Sequence, residues 1–497
     1  MPGEHVDVLI VGAGISGIGA GCHLVRECPD RTFAVLESRD SLGGTWDLFR
    51  YPGIRSDSDM FTFGYEFEPW RDPATIAEGG AIREYLAATA RKYGVDRRIR
   101  YRHRVLRADW SSDEARWTVT AERTDTLERI VLTCSFLFVC SGYYRYDEGY
   151  TPDFPGRDDF AGTVVHPQHW PEDLDCTGTR VVVIGSGATA VTLVPALAGI
   201  AERVTMLQRS PTWISSRASR DRIADWARRA LPERPAYALV RWKNVLYSSL
   251  TYRLSRVLPG VVKSALRREQ LRKLDARFID EHLTPSYEPW DQRLCLAPDG
   301  DIFDAVRSGG AEIVTDSVER FTRDGILLKS GRVLPADVIV TATGLTLLPI
   351  GGIALTVDGS EVDVADTVAY KGMMLSGVPN FALTIGYTNA SWTLKSDLVA
   401  RYVCRLLRHL AATGTDTVTP TPPAELDDRA ALEPLLDFTS GYVRRGLHIL
   451  PKQGRATPWR LHQNYPRDLR LLRRGPVTDG VRFSRSSSRR TQPVETR

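Results

Sequence analysis

The stretch Asp7-Val-Leu-Ile-Val11-Gly12-Ala-Gly14-Ile-Ser16-Gly17 decides how this chain folds. An apolar run of strand length meets three glycines in Gly-x-Gly-x-x-Gly spacing, and a small-residue stretch of helical character continues to about Arg26. A second apolar run, Thr32-Phe-Ala-Val-Leu-Glu37, follows, so that an acid stands 20 positions after the third glycine. Each part has a physical reason. Gly12 permits the tight turn, Gly14 lets backbone N–H groups approach a pyrophosphate, and Gly17 lets the helix pack closely on the strand. The helix N-terminus favours the phosphate charge, and Glu37 can accept hydrogen bonds from ribose hydroxyls. A glycine turn alone is a weak signal; the four parts in this order predict a dinucleotide site.

The pattern occurs a second time. Arg180-Val-Val-Val-Ile184 runs into Gly185-Ser186-Gly187-Ala188-Thr189-Ala190, then a helix to about Ala201 and a strand from Arg203 to Leu207. Ala190 replaces the third glycine, which the close-packing position tolerates. After this strand stand Gln208 and Arg209 in place of an acid. A carboxylate there would repel a 2'-phosphate, whereas Arg209 can pair with one, so the second site reads as specific for NADPH. The bland alternative for Arg209 is a solvated side chain at a strand end. The chain is therefore expected to be α/β, with two Rossmann-like dinucleotide-binding domains, the first for FAD and the second for NADPH. That pairing points to a flavoprotein oxidoreductase.

The 497 residues, 42% hydrophobic and 25% charged, are enough for about two to four soluble domains. The motifs divide them into an FAD domain at 1–150 that resumes at 341–480, and an NADPH domain at 151–217 that resumes at 291–340. Between lies a helical insertion at 218–290, and the polar tail 481–497 is expected to be disordered. A formal charge of +4 gives no case for nucleic acid as a partner. The insertion carries basic helical runs such as Lys263-Ser-Ala-Leu-Arg-Arg, which read either as a solvated face or as a peripheral membrane surface. Residues 181–201 carry no charge, but Gly185, Gly187 and Pro195 make that stretch a strand, turn and helix rather than a membrane span. The seven cysteines contain no Cys-x-x-Cys pair. No zinc site or redox disulfide is therefore expected, a cytoplasmic setting fits, and a disulfide reductase is disfavoured. Hydrolase and NTPase motifs are absent as well. Met373, Met374 and Trp392 have two readings, lining of a substrate pocket or packing of the core.

Between the two nucleotide motifs sits Phe160-x-Gly162-x-x-x-His166-x-x-x-Trp170-Pro171. Taken alone, His166 beside Pro167 reads as a hydrogen-bonded linker residue. The pattern resembles the fingerprint of type I Baeyer–Villiger monooxygenases. Related N-hydroxylating flavin monooxygenases usually carry Phe or Tyr where Trp170 stands. The similarity runs from about Val6 to about Phe483 and includes Gly43-Gly44-Thr45-Trp46-Asp47-Leu48, Arg55-Ser56-Asp57, Trp290-Asp-Gln-Arg293 and Gly386-Tyr-Thr-Asn-Ala-Ser-Trp392. These segments look like the ethionamide-activating subfamily.

The resemblance implies that NADPH reduces FAD and that O2 gives a C4a-peroxyflavin, which converts an apolar ketone to an ester or lactone. The same site could oxygenate thioamides or sulfides. An N- or S-oxygenating flavin monooxygenase without ketone activity is the alternative. Arg293, which in isolation reads as a surface loop residue, matches the family's catalytic arginine, and Asp57 the acid beside it. The resemblance further implies FAD contacts from Ser16, Gly44, Thr45, Trp46, Asp47, Leu48 and Val105, and nicotinamide contacts from Arg55 and Ser56. It assigns His166 to the interdomain linker, with Phe160, Gly162 and Trp170 around it, and no metal.

Overall fold

The computed structural model describes residues 4–436 and 438–486. Strand β1 (Glu4–Val11) leads through the glycine turn into helix α1 (Ile15–Glu27) and back to β2 (Phe33–Leu36). The two strands run parallel, with Val8 opposite Phe33 and Val11 opposite Leu36. β1 is buried continuously from Val8, which is why its sequence is apolar without alternation. An antiparallel meander of β3 (His103–Ser111), β4 (Arg116–Arg123) and β5 (Arg129–Val139) joins the other side of β1, where β5 again runs parallel to it. Together with four shorter strands these form one nine-stranded sheet.

The chain then crosses to a second unit. β6 (Thr163–Val165), β7 (Arg180–Ile184), β8 (Arg203–Gln208), β9 (Ala311–Thr315) and β10 (Val338–Thr341) form a parallel sheet in the order β9-β8-β7-β10-β6. Helix α2 (Ala188–Leu197) is the crossover from β7 to β8. Residues 181–201 are thus accounted for by β7, its turn and α2. Among the described residues no helix is long and apolar enough to cross a membrane.

Four helices interrupt this second unit: α3 (Arg222–Ala230), α4 (Glu233–Val257), α5 (Pro259–Gln270) and α6 (Ala276–His282). Strands Ile214–Arg217 and Cys295–Pro298 pair in parallel and hold the two ends of the excursion together. The insertion belongs to the NADPH-type unit in chain order, yet its inner face packs on the first. Ala224, Ala227, Ala236, Val240 and Val245 share a core with α1 and Phe61. The buried Arg241 guanidinium donates to the carbonyls of Phe61 and Gly64 at 2.7 and 2.8 Å, and Asn244 Nδ2 donates to Asp59 at 3.0 Å. The insertion therefore ties the two units together.

After β10 the chain returns to the first sheet, where β11 (Phe381–Leu383) lies parallel to β5. Helix α7 (Trp392–Thr413) packs along α1, and it ends at Gly414 in the left-handed conformation. Next come β12 (Thr417–Pro420), helix α8 (Tyr465–Arg473) and β13 (Val481–Ser484). The expectation of a disordered tail from 481 is corrected at its start. β13 pairs antiparallel with β12, with Val418 opposite Phe483, and Ser486 is held by the Asp416 carboxylate. An alternating Val-Arg-Phe-Ser run supplied the strand that the polar composition obscured. The rest of that tail, 487–497, lies outside the described residues.

Candidate active site

A cavity of about 500 Å³ opens where β1 and β2 end and reaches across to α2 of the second unit. Its floor is the first glycine turn. A Cβ at Gly17 would lie 1.8 Å from the Gly12 carbonyl oxygen, so only glycine allows α1 to start this close to β1. Gly12 itself sits at φ 100° against the Cys140 carbonyl. Gly14 faces Gly44 across a gap that a Cβ would narrow to 3.6 Å, and the Gly43 N–H donates to the Ala13 carbonyl at 3.0 Å. The second glycine turn thus lies on top of the first. Beyond it Thr45 and Trp46 line the cavity, and Thr45 Oγ1 is 3.3 Å from Tyr146 Oη.

Glu37 ends β2 facing the cavity. Its carboxylate accepts from Ala13 N–H at 2.7 Å and from Arg39 N–H at 2.9 Å. Burial pushes its pKa above the ordinary carboxylate range against the pull of these donors. Oε1 also accepts from Ser38 Oγ at 3.4 Å, and Oε2, with Ala13 as its one protein donor among the described residues, keeps a lone pair for a further donor. Val105 lines the same end. Ser16 lies near the middle, where its hydroxyl accepts from Trp392 Nε1 at 2.8 Å.

At the far end Arg293 Nη2 stands 2.8 Å from Asp57 Oδ2, and both side chains line the cavity. Burial opposes the charge on Arg293, but the field of Asp57 and of Tyr442, Tyr143 and Tyr144 outweighs it and raises the pKa. At neutral pH, where tyrosines are uncharged, Asp57 carries this effect. The loop that presents Arg293 is strained: Trp290 sits at φ 72°, where bulky side chains rarely go. The insertion holds it there. Tyr252 packs edge-on to Trp290 at 5.7 Å, Arg256 pairs with Asp291 at 2.5 Å, and Lys263 with Glu288 at 2.6 Å.

Arg55 and Ser56 also line the cavity. Arg55 crosses to Asp301 of the second unit, and its Nη2 is buried with no protein partner. Of the second motif, Ala188 and Thr189 reach the cavity, whereas Gly185, Ser186, Gly187 and the buried Ala190 lie outside it along the start of α2. Gly185 sits at φ 137°, and a Cβ there would meet the Ala342 carbonyl at 2.3 Å, so the position needs glycine; Gly187 faces open space. Arg209 is exposed, and its guanidinium has no protein partner among the described residues.

Three expectations need correction. Asp47 is buried and turned away from the cavity, its carboxylate held by Arg39 at 2.6 Å, Ser41 at 2.6 Å and Arg83 at 3.2 Å. Leu48 packs into the core of the second unit, so neither side chain lines the cofactor cavity. Gln208 is buried as well; its Nε2 donates to the His282 carbonyl at 2.7 Å and to Thr315 at 2.9 Å, leaving nothing for a phosphate. Of the residues with two readings, Met373 and Met374 are fully buried in the core, whereas Trp392 lines the cavity.

The fingerprint residues lie away from the cavity, at the two crossings between the units. His166 Nδ1 accepts from Gln168 N–H at 3.1 Å, which leaves Nε2 to donate to the Gly344 carbonyl at 3.1 Å on the returning chain. Its ring fills the place a Cβ of Gly149 would take on the outgoing chain. Burial keeps its pKa below the ordinary histidine value. Phe160 packs edge-on to Phe321 at 6.3 Å, Gly162 passes too near the Asp337 carbonyl for any side chain, and Trp170 sits at the edge of the second core.

Sequence reasoning missed two groups. Buried Gln168 donates to the carbonyls of Arg145 and Tyr146 at 2.9 and 3.0 Å, closing the outgoing crossover. Tyr143, Tyr144 and Tyr442 form an aromatic wall beside Arg293, with ring centroids 4.6 and 6.1 Å apart in succession, and Tyr143 continues to Trp392 at 5.2 Å. The aromatic run Tyr143-Tyr144-Arg-Tyr146 just after β5 was the available signal; Tyr442 comes from 300 residues further on and had none.

Two stacked nucleotide folds sharing one cavity define a two-domain flavin enzyme architecture, and the chain belongs to the flavin-binding monooxygenase-like family, which it matches over residues 5–413. It is 56% identical over 486 residues to the FAD-containing monooxygenase EthA of Mycobacterium tuberculosis, covering 97% of this chain and 98% of the relative. It is 51% identical over 483 residues to the putative FAD-containing monooxygenase MymA of the same organism, covering 96% and 97%. Among solved structures, an oxidised steroid monooxygenase bound to NADP superposes with a TM-score of 0.76 at 22% identity, covering 97% of this chain and all of that one. The open form of cyclohexanone monooxygenase gives 0.74 at 19%, with the same coverage. At such identities the two structures speak for the fold.

Proposed function

We propose that the chain is an FAD- and NADPH-dependent Baeyer–Villiger monooxygenase that inserts one oxygen atom of O2 beside the carbonyl of an apolar ketone, giving an ester or lactone. The observation that carries this reading is the Arg293–Asp57 pair, 2.8 Å apart, on a cavity to which both nucleotide folds contribute. The residues present fit FAD along the first motif: the glycine turns leave a floor without side chains, and Glu37 Oε2 keeps a free lone pair. They fit NADPH along the second, where Gly187 is open and Arg209 is unengaged. The curated relatives described as FAD-containing and the neighbour solved with NADP support the same assignment.

Bound FAD supplies oxygen activation, with NADPH as reductant and O2 as oxidant. The chain's own groups do the rest. Arg293 stays charged at any working pH and offers a planar fork of donors toward negative charge that develops on the reacting oxygens. Asp57 orients that fork by a charge-assisted pair. Tyr143, Tyr144 and Trp392, with Tyr442 packed against Tyr144, give the cavity an aromatic wall that excludes water and suits an apolar substrate. His166 and Gln168 hold the two crossovers that set one nucleotide fold against the other.

The reading is tested by product analysis. Purified yellow enzyme, NADPH and O2 are given a ketone and a sulfide in competition, and products are identified by mass spectrometry. Ester formation supports it; sulfoxide with untouched ketone would replace it by an S-oxygenating activity.

A further inference from the structure

The helical insertion exposes apolar side chains that the proposed chemistry does not use. Along α4, Leu239, Trp242, Leu246, Leu250 and Val257 recur at helical spacing and occupy a stripe about 80° wide. Leu246, Leu250 and Val257 are 59, 58 and 66% exposed, so the stripe faces outward while Val240, Arg241 and Val245 face the core. Val261 on α5 and Ile223 and Trp226 on α3 are likewise exposed. Solvent-facing apolar residues at this density mark an interaction surface.

Charge identifies the occupant. Between Arg222 and Arg272 the chain has twelve Lys and Arg against three Asp and Glu. Arg229, Arg234, Arg253 and Arg268 have no acidic partner among the described residues. Arg253 lies within the α4 stripe, and Arg268 shares the outward side of α5 with Val261. A second copy related by a two-fold axis would set this positive patch against itself. An apolar face that carries Trp226 and Trp242 and is interspersed with unpaired arginines is complementary to a surface that is apolar below and anionic above.

We propose that the outward face of α3, α4 and α5 docks on the surface of an anionic phospholipid bilayer, with the stripe in the interface and the arginines among the headgroups. The inner face of the same helices holds the Arg293 loop through Tyr252, Arg256 and Lys263, so docking places the active-site unit at the layer where apolar ketones concentrate. The proposal stands apart from the reaction type: it concerns where the enzyme sits.

The test uses full-length, flavin-loaded enzyme sedimented with vesicles of phosphatidylcholine alone or with phosphatidylglycerol added. The expected result is retention on the anionic vesicles, weak retention on neutral ones and release by salt. Leu246→Asp/Leu250→Asp is expected to lower retention at least roughly tenfold while leaving flavin content and NADPH oxidation in solution unchanged. Should that variant misfold, Arg253→Gln/Arg268→Gln serves instead, with weaker retention on anionic vesicles only. Equal retention of wild type and variants, or no retention at all, overturns the proposal. So does a wild-type dimer by light scattering that the apolar variant loses, which would make a second copy the occupant.

Discussion

The two glycine motifs share one pattern and differ in enclosure. In the first, the turn is roofed by a second glycine turn at Gly43–Gly44, Gly17 has no room for a methyl group, and Glu37 is buried between two backbone donors. In the second, Gly187 faces open space and Arg209 is exposed, with no partner among the described residues. The contrast shows how one supersecondary unit serves two kinds of nucleotide. An enclosed site, finished by contacts the protein makes with itself, suits a resident cofactor; an open one, with a charge held ready, suits a cosubstrate that must leave after each turnover. Under the proposed function these are FAD and NADPH.

The largest way to break that contrast is at the tight glycines. Gly17→Ala places a Cβ on the Gly12 carbonyl and should cost at least about 3 kcal/mol by overpacking; colourless or insoluble protein is the expected outcome, read by flavin absorbance. In the open motif the position that matches Gly17 is already Ala190, so the comparable probe is its remaining open glycine: Gly187→Ala should leave flavin content intact and act on the NADPH KM alone. Equal effects of the two substitutions would erase the distinction.

Arg209→Ala comes next. A charge-assisted pair with a phosphate is worth about 1.5–3 kcal/mol, so the KM for NADPH should rise roughly tenfold to a hundredfold while that for NADH stays near its original value. Thermal stability should not change, because the guanidinium has no protein partner among the described residues to lose. Glu37→Gln replaces an acceptor that two N–H groups share; an amide nitrogen turned toward either donor costs about 1–3 kcal/mol, read as faster FAD loss with an unchanged NADPH KM.

The smallest effect concerns the crossovers. His166 has a folded pKa depressed by burial, so its contribution to stability is present above the ordinary histidine value and is lost as pH falls through the folded one. Protonation at Nδ1 removes the acceptor for Gln168 N–H. A melting-temperature profile should therefore decline toward acid more steeply for wild type than for His166→Ala, which should itself be less stable by roughly 1 kcal/mol at neutral pH. Identical profiles would show that the clasp carries no weight.

The fold was legible because its information is local. A glycine turn between an apolar strand and a small-residue helix specifies its geometry within about a dozen residues, and it occurs twice. The site was legible only where local spacing or family resemblance reached it. Asp57 and Arg293 lie far apart in sequence, and no periodicity joins them; resemblance named both, and the structure brings them to 2.8 Å. Gln208 misled because a polar residue at a strand end reads as outward, whereas here its amide turns inward to the His282 carbonyl and Thr315. Asp47 misled in the same manner, since three partners from outside the turn draw its carboxylate away from the cavity. Tyr442 and Gln168 left no trace, because a tertiary contact from a distant segment has no signature in the neighbouring residues.

The central claim is that Arg293, held by Asp57, provides the fixed positive charge for oxygen insertion. Arg293→Ala tests it most directly, assayed with a ketone for ester formation by mass spectrometry and for bound flavin by absorbance. The account predicts full flavin content and NADPH binding with ester formation reduced by at least roughly a hundredfold, the scale for loss of one preorganised electrostatic stabiliser. Ester formation at the wild-type rate in a flavin-loaded Arg293→Ala enzyme would contradict it.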